Sequence, residues 1–222
     1  MANYQHEFGH FMHYSRQADS IANRITALKL PEKEQFRVVD VGSNDGTLTE
    51  KLYSALAPKH HSLTMHALEP NKETYVELEK RFQLVPEILT ENLGFEQWAQ
   101  KYKATLAGSI DLLLHSHTFY HFHRDSWKDI LAQGNEFLGD DASQVIIVDS
   151  GDSSINGLKP ELERLLGQEA KTQRYGTFAS GHDMQKFFLG QGMDYRYAMI
   201  DQPIIVPKNR HALRNFARIL GF

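Results

Sequence analysis

The sequence predicts an α/β fold, with a mostly parallel central sheet and helices on both faces. Three observations lead there. Short β-branched runs alternate with amphipathic stretches along most of the chain. One of those runs ends on a glycine-bearing junction that opens a helix, and no repeat, low-complexity tract or linker interrupts the pattern. Strands that alternate with helices imply right-handed crossovers and parallel pairing.

The elements follow in order. Residues 19–30 read as a leading helix, because Ile21, Ile25 and Leu28 fall on one face. Residues 36–41 form a β-branched strand run that stops at Gly42, and Leu48, Leu52 and Leu56 then mark one face of a helix. Residues 62–68 predict a second strand and the charged stretch 71–81 a second helix. A weaker strand is expected near 82–89, followed by a short helix over 95–102. Residues 110–114 are apolar enough for a buried strand. The helix after it runs through Trp127, Ile130, Leu131, Phe137 and Leu138. Val145 to Val148 is the clearest strand of all. A late strand broken by Pro203 is expected over 195–206, and Leu213, Phe216, Ala217 and Leu220 give a last helix. Length sets one domain over 1–222, with a leading segment 1–30, a core 36–206 and a terminal helix 209–222.

Composition narrows the function. The chain has 222 residues, 41% of them hydrophobic, and no cysteine. Disulfides, thiolate metal sites and a Cys nucleophile are thereby excluded, which fits a cytoplasmic setting. A net charge of −4 and a pI near 6.3 leave no basic excess to grip nucleic acid or an anionic membrane. No apolar run is long enough to span a bilayer, so neither nucleic acid nor membrane is an expected partner.

The junction after the first strand carries the chemistry. Gly42 permits a tight turn, and Gly46 lets the helix start close to a ligand. Asn44 replaces a middle glycine, because asparagine tolerates positive φ better than other residues with a Cβ. Thr47 or Asp45 supplies the helix cap. Alone, this loop is equally an ordinary strand–turn–helix corner. The second strand breaks the tie, since Glu69 stands at its carboxyl edge, 23 residues beyond Gly46. An acid so placed accepts hydrogen bonds from ribose hydroxyls. The loop has no Gly-Lys-Ser/Thr ending, which argues against a triphosphate cradle.

Asp40-x-Gly42-x-x-x-Gly46 followed by Glu69 and Pro70 resembles the signature of the class I, Rossmann-like, S-adenosylmethionine-dependent methyltransferases. The resemblance runs from about residue 36 to residue 193. It implies S-adenosyl-L-methionine as cofactor and S-adenosyl-L-homocysteine as product. It further implies that Gly42, Ser43, Asn44 and Gly46 approach the methionine part, with Asp40 supporting the loop and the ammonium. Glu69 and Pro70 would lie at the ribose, Glu91 or Asn92 near the adenine, and Ser116 and His117 near the sulfonium. A narrower resemblance, to histamine N-methyltransferase and its relatives, rests on Glu69-Pro70-Asn71, Phe119-Tyr120, residues 145–151, and the leading Phe11-Met12-His13-Tyr14-Ser15 before Lys29-Leu30-Pro31. It implies a leading lid over a small amine. Where that family has a glutamate for the amine, this chain has Gln17, and a neutral amide cannot pair with an ammonium group.

Histidine is the other oddity. Of the chain's 12, four fall at His115, His117, His121 and His123, running off the end of a central strand. Ligands bind outside such strand ends. His115 and His117 share a strand face if the strand continues that far. An imidazole near the methyl donor can take a proton from a substrate nitrogen or oxygen. His117 and then His121 are the candidate catalytic bases, while His115 and His123 fit structural hydrogen bonding better. His6, His10 and His13 share one helix face, but no cysteine or carboxylate pattern joins them, so no metal is assigned. Tyr4, Phe8, Phe11 and Tyr14 form either an aromatic lid or a packed terminal helix. With Gln17 and Tyr120, Tyr4, Phe11 and Tyr14 are the candidate substrate contacts, and aromatic faces can hold a cationic amine.

The resulting expectation is methyl transfer to a nitrogen, less readily an oxygen, of a small molecule such as an amine or imidazole. Two other readings stand beside it: methylation of RNA or protein, and a binding protein that keeps the fold without turnover. Ser116-His117-Thr118-Phe119 replaces the Asn-Pro-Pro-Tyr type of motif, which argues against methylation of a planar base amine. Asp149-Ser150-Gly151-Asp152 lacks a nucleophile elbow and reads as a turn. Arg210, Arg214 and Arg218 read as a solvated face or an interface.

Overall fold

The computed structural model of the protein describes residues 16–148 and 180–200. The chain divides into two compact units, one spanning Ile21–Val148 and one gathering Met1–Ser20 with Asp149–Phe222. The described elements are α1 (Gln17–Thr26), β1 (Gln35–Val41), α2 (Thr47–Leu56), β2 (Ser62–Leu68), α3 (Lys72–Phe82), β3 (Ile88–Glu91), α4 (Phe95–Leu106), β4 (Ile110–Ser116), α5 (Trp127–Phe137), β5 (Leu138–Ile147) and α6 (Gly181–Gly190). Short 3₁₀ turns at Ala57–Lys59, Phe119–His121 and Arg124–Ser126 complete the set. No helix among the described residues is long and apolar enough to cross a membrane.

The five strands lie in the order β3-β2-β1-β4-β5, and every adjacent pair is parallel. The chain therefore leaves β1 toward one edge for β2 and β3, then returns to its other side for β4 and β5. That reversal falls between β1 and β4, and open α/β sheets bind ligands outside the carboxyl ends of the strands at such a point. The central strands are buried on both faces: Val38, Val39, Leu112, Leu113 and Leu114 exclude solvent entirely. This is why Val38-Val39 and Leu112-Leu113-Leu114 follow one another as apolar residues rather than alternating with polar ones.

Helix α2 faces inward through Thr49, Leu52 and Leu56, while Leu48 is only half-buried. The polar Thr49 takes a core position because its hydroxyl donates to Asp40 Oδ2 at 2.6 Å. Burial raises the Asp40 carboxyl above its ordinary value, and the Thr49 hydroxyl opposes that rise. Thr49→Val keeps the shape and removes the donor. It is expected to cost about 1–3 kcal/mol, the usual penalty for orphaning a buried polar partner, as a lowered urea midpoint at unchanged slope.

Several boundaries differ from the sequence reading. Helix α1 stops at Thr26, whose hydroxyl bonds back to the Ala22 carbonyl, and Leu28 ends 37% exposed instead of on the buried face. Residue 82 is the last of α3, not the start of a strand: Phe82 is buried, and β3 begins only at Ile88, beyond Pro86. Strand β4 runs two residues further than expected, to Ser116. Strand β5 opens at Leu138, directly on the end of α5, rather than at Val145. Its first part absorbs Gly139-Asp140-Asp141 through a register shift opposite Ile110/Leu112, with Asp141 at φ 62°. Tyr195 to Ile200, expected as a strand, carry no regular structure. The remainder of that stretch and the terminal helix lie outside the described residues. Helix α6, which the sequence reading did not contain, is started by a capping box between Ser180 and Asp183.

Candidate cofactor site

The loop after β1 has the backbone that its residue types require. Gly42, Asn44 and Gly46 stand at φ 72°, 52° and 83°. Each glycine is also sterically obligatory. A Cβ on Gly42 would strike Thr118 Cγ2, from the segment beyond β4. A Cβ on Gly46 would lie 2.5 Å from Phe82 Cε2 and 2.9 Å from Leu78 Cδ1. Gly46 thus serves the packing of α2 against α3, and protein, not ligand, fills the space beside it. Of the two candidate caps, Asp45 acts: its carboxylate accepts from the Thr47 amide at 3.0 Å and the Thr47 hydroxyl at 2.9 Å.

Glu69 is joined to this loop directly. Its residue is 8% exposed, one carboxylate oxygen accepts from the Asn44 amide at 3.0 Å, and the other accepts from the Asn71 amide at 2.8 Å. Burial raises its carboxyl above the ordinary value, the two amides act against that rise, and the Asp40 charge adds to it. The Ser43 amide donates to the Leu68 carbonyl at 2.8 Å, closing loop and strand together. Asn92 reaches across from the end of β3 and donates to the carbonyls of Glu69 at 2.8 Å and Pro70 at 3.2 Å.

Glu91, the other residue named for the adenine end, is committed elsewhere. Its carboxylate lies 3.1 Å from His66 Nδ1, accepts from Lys101 Nζ at 2.6 Å and from the Tyr102 hydroxyl at 3.1 Å. Burial alone would raise this carboxyl, but the hydrogen bonds from His66 and Lys101 and the Lys101 charge outweigh it and hold it below the ordinary value. Trp98 closes the cluster, with its indole nitrogen 3.3 Å from His66 Nδ1. Between the two residues named, Asn92 is the one that touches the Glu69 segment.

Comparison with solved structures decides the fold. The YcgJ protein from Bacillus subtilis is 15% identical, with 80% of this chain covering 69% of that one at a TM-score of 0.52. An S-adenosylmethionine-dependent methyltransferase from Leishmania major is 14% identical, with 84% of this chain covering 69% of that one at a TM-score of 0.51. This protein has a Rossmann-like methyltransferase fold. The chain spans 25% of the length of phosphoethanolamine N-methyltransferase 1 from Haemonchus contortus, a structure holding phosphoethanolamine and S-adenosylhomocysteine (58% of this chain, 14% identity, TM-score 0.44). No family model matches the sequence, and no curated protein matches it.

Within this methyltransferase fold, the residues named from the sequence distribute unevenly. Asp40, Gly42, Ser43, Asn44, Glu69, Pro70 and Asn92 gather at the carboxyl ends of β1, β2 and β3. Ser116 ends β4 opposite Ile147. His117 does not share a strand face with His115: the strand has ended, and His117 sits at φ 55° with its amide donating to the Ile147 carbonyl at 2.8 Å. His115 is fully buried among the rings of Phe95, Phe119 and Phe122, as a structural histidine. Tyr120 and His121 lie in the 3₁₀ turn Phe119–His121, whose last amide, that of His121, donates to the Thr118 carbonyl at 2.9 Å. His121 is an exposed residue, and partial burial of its ring lowers its imidazole below the ordinary value. Gln17 opens α1 and is half-buried. Tyr4, Phe11 and Tyr14 lie outside the described residues, as do His6, His10 and His13. Among the described residues, no group of His, Asp and Glu is placed to hold a metal ion.

Two contributors escaped the sequence reading. Arg81, at the end of α3, donates from Nε to the Asp45 carbonyl at 2.7 Å, and from its terminal nitrogens to Asp45 Oδ2 at 3.0 Å and Glu50 Oε2 at 2.8 Å. It ties the glycine loop to the next crossover, yet in the sequence it is one charge in a charged helix. Thr118, against Gly42, had only its place in the string after β4 to mark it.

Proposed function

We propose that this protein is an S-adenosylmethionine-dependent methyltransferase acting on a nitrogen, less readily an oxygen, of a small amine or imidazole. The observation that carries this reading is the Glu69 carboxylate. It is buried against its own preference for solvent, at the tip of β2, and locked to the Asn44 amide of the glycine loop. Each carboxylate oxygen takes one backbone amide, and each retains an acceptor position for a second donor. A ribose diol supplies two such donors. Gly42, Ser43 and Asn44 would hold the methionine part, Glu69 and Pro70 the ribose, and Asn92 the adenine side. The bound cofactor would supply an electrophilic methyl group.

The chain's own work would be alignment, which accounts for much of the rate in a displacement of this kind. His121 is the favoured base, because an imidazole held below its ordinary value is neutral at physiological pH and ready to accept the substrate's proton. His117 is the second candidate. By the resemblance read in the sequence, Tyr4, Phe11, Tyr14, Gln17 and Tyr120 are the proposed substrate contacts. Small-molecule preference rests on the acidic balance and the lack of a basic patch in the sequence.

Calorimetric titration with S-adenosylmethionine and S-adenosylhomocysteine tests the reading, followed by a methylation screen of imidazoles and biogenic amines. Saturable binding of both nucleosides and turnover of a small amine are expected. No binding at millimolar cofactor would overturn the proposal, and methylation confined to RNA or protein would overturn its substrate half.

A further inference from the structure

Three buried side-chain atoms among the described residues have no hydrogen-bond partner: His60 Nδ1, His115 Nδ1 and Thr118 Oγ1. The first belongs to a ring stacked on Phe36 at 4.0 Å, just ahead of the amino end of β2, and the second to a ring enclosed by phenylalanines. The third lies past the last residue of β4, in the segment beyond the carboxyl edge of the sheet, where the strand order reverses. Thr118 is 8% exposed, and its methyl fills the space that Gly42 leaves by having no Cβ. Its carbonyl is satisfied by the His121 amide, and its hydroxyl makes no capping bond to the 3₁₀ turn it precedes.

A valine would fill the same volume and contact Gly42 with the same methyl. An unsatisfied buried hydroxyl therefore lowers stability relative to the apolar isostere, unless a ligand supplies its partner. The sheet order says which part of a ligand that is. With a ribose at Glu69 on β2, a ligand lying across the strand ends reaches β1 and then β4 within two strand spacings, about 10 Å. The group arriving at β4 is the one carried beyond the ribose 5′ carbon.

We propose that Thr118 binds the amino-acid end of an S-adenosyl ligand, its hydroxyl pairing with the ligand's ammonium or carboxylate beside Gly42. This rests on the cofactor reading above and adds a binding residue to it. The hydroxyl both donates and accepts, so either charged group satisfies it. The bond is charge-assisted and worth more than a neutral one.

The test compares Thr118→Val and Thr118→Ser with the parent protein. Each is titrated with S-adenosylhomocysteine and with 5′-methylthioadenosine, which keeps the nucleoside and thioether but lacks the amino-acid end. Thr118→Val is expected to bind S-adenosylhomocysteine about 10- to 100-fold more weakly, the loss of one hydrogen bond to a charged group. It should bind methylthioadenosine as the parent does and melt, ligand-free, no lower than the parent. Thr118→Ser keeps the hydroxyl and should retain S-adenosylhomocysteine. If the parent binds neither nucleoside, the cofactor reading fails and this assignment with it. If the parent binds S-adenosylhomocysteine and Thr118→Val binds it equally well, the assignment alone is wrong. Equal losses for both nucleosides, or a folded Thr118→Ser that loses S-adenosylhomocysteine, would also overturn it. Should Thr118→Val fail to fold, Thr118→Ala, which also lacks the hydroxyl, takes its place: a loss confined to S-adenosylhomocysteine supports the assignment, and parent-like binding or equal losses for both nucleosides overturn it.

Discussion

Glu69→Gln is expected to weaken S-adenosylhomocysteine binding by about 100- to 1,000-fold while leaving the protein folded, because one charge-assisted hydrogen bond, worth roughly 1.5–3 kcal/mol, is lost outright and a second is reduced to a neutral one. The carboxylate already receives the Asn44 and Asn71 amides, one on each oxygen. Glutamine preserves the shape but turns one acceptor into an NH₂ group. That donor then faces a backbone amide donor, so either the side chain rotates away or one amide loses its partner. The ligand loses the charge and at least one acceptor in the same step. Methylthioadenosine carries the same ribose and should suffer equally, which separates this variant from Thr118→Val. A modest fall in melting temperature should accompany the change, since one half-buried amide is left unpaired. Titration calorimetry with both nucleosides checks the result. Parent-like affinity in a folded Glu69→Gln would remove the acid from the site.

His115 predicts an acid limb in the stability profile. Desolvation by burial lowers its imidazole to about 3 from the ordinary 6.5, so the folded state holds it neutral throughout the physiological range. Unfolded, the same ring takes up a proton below its ordinary value. The stabilisation is therefore complete above that ordinary value and is lost as pH falls, at about 1.4 kcal/mol per pH unit, until the folded pKa is reached. Acidification from pH 6.5 to 4.5 should cost about 2–3 kcal/mol from this residue alone. Asp40 and Glu69, whose carboxyls are raised, act with the opposite sign: they favour folding at low pH and lose that contribution as pH rises. His115→Phe removes the titrating ring and keeps an aromatic group against Phe95 and Phe119. The slope difference between parent and variant, followed by urea unfolding at several pH values, isolates His115. Identical slopes would mean that the ring is protonated, or reaches solvent, in the folded protein.

The contrast between His115 and His117 shows how much of the site was legible beforehand. Both stood out in the sequence, and both were placed near the end of the fourth strand. Nothing local said that the strand would stop at Ser116 and turn His117 into the left-handed region. The opening of β5 is a similar case. Residues 139–144 fell between the helix and the strand expected from the sequence, and they become strand because β4 offers them an edge to pair with. Glu91 and Asn92 were indistinguishable as neighbours of an adenine. Lys101 and Tyr102, ten and eleven positions away along the chain, claimed the first, and the Glu69 carbonyl claimed the second.

The sequence by itself determined the strand–helix alternation, the parallel sheet, the glycine loop and the acid at the second strand. Each of these is a local constraint: a period of 2 or 3.6, a residue that tolerates positive φ, or a carboxylate at a strand end. The tertiary structure alone decided what each glycine is for. Gly42 makes room for Thr118 and Gly46 for Phe82, and those partners come from distant segments. It also decided which buried polar groups are satisfied. Hydrogen-bond satisfaction and close packing depend on what folds against a residue, and no local pattern in the chain carries that information.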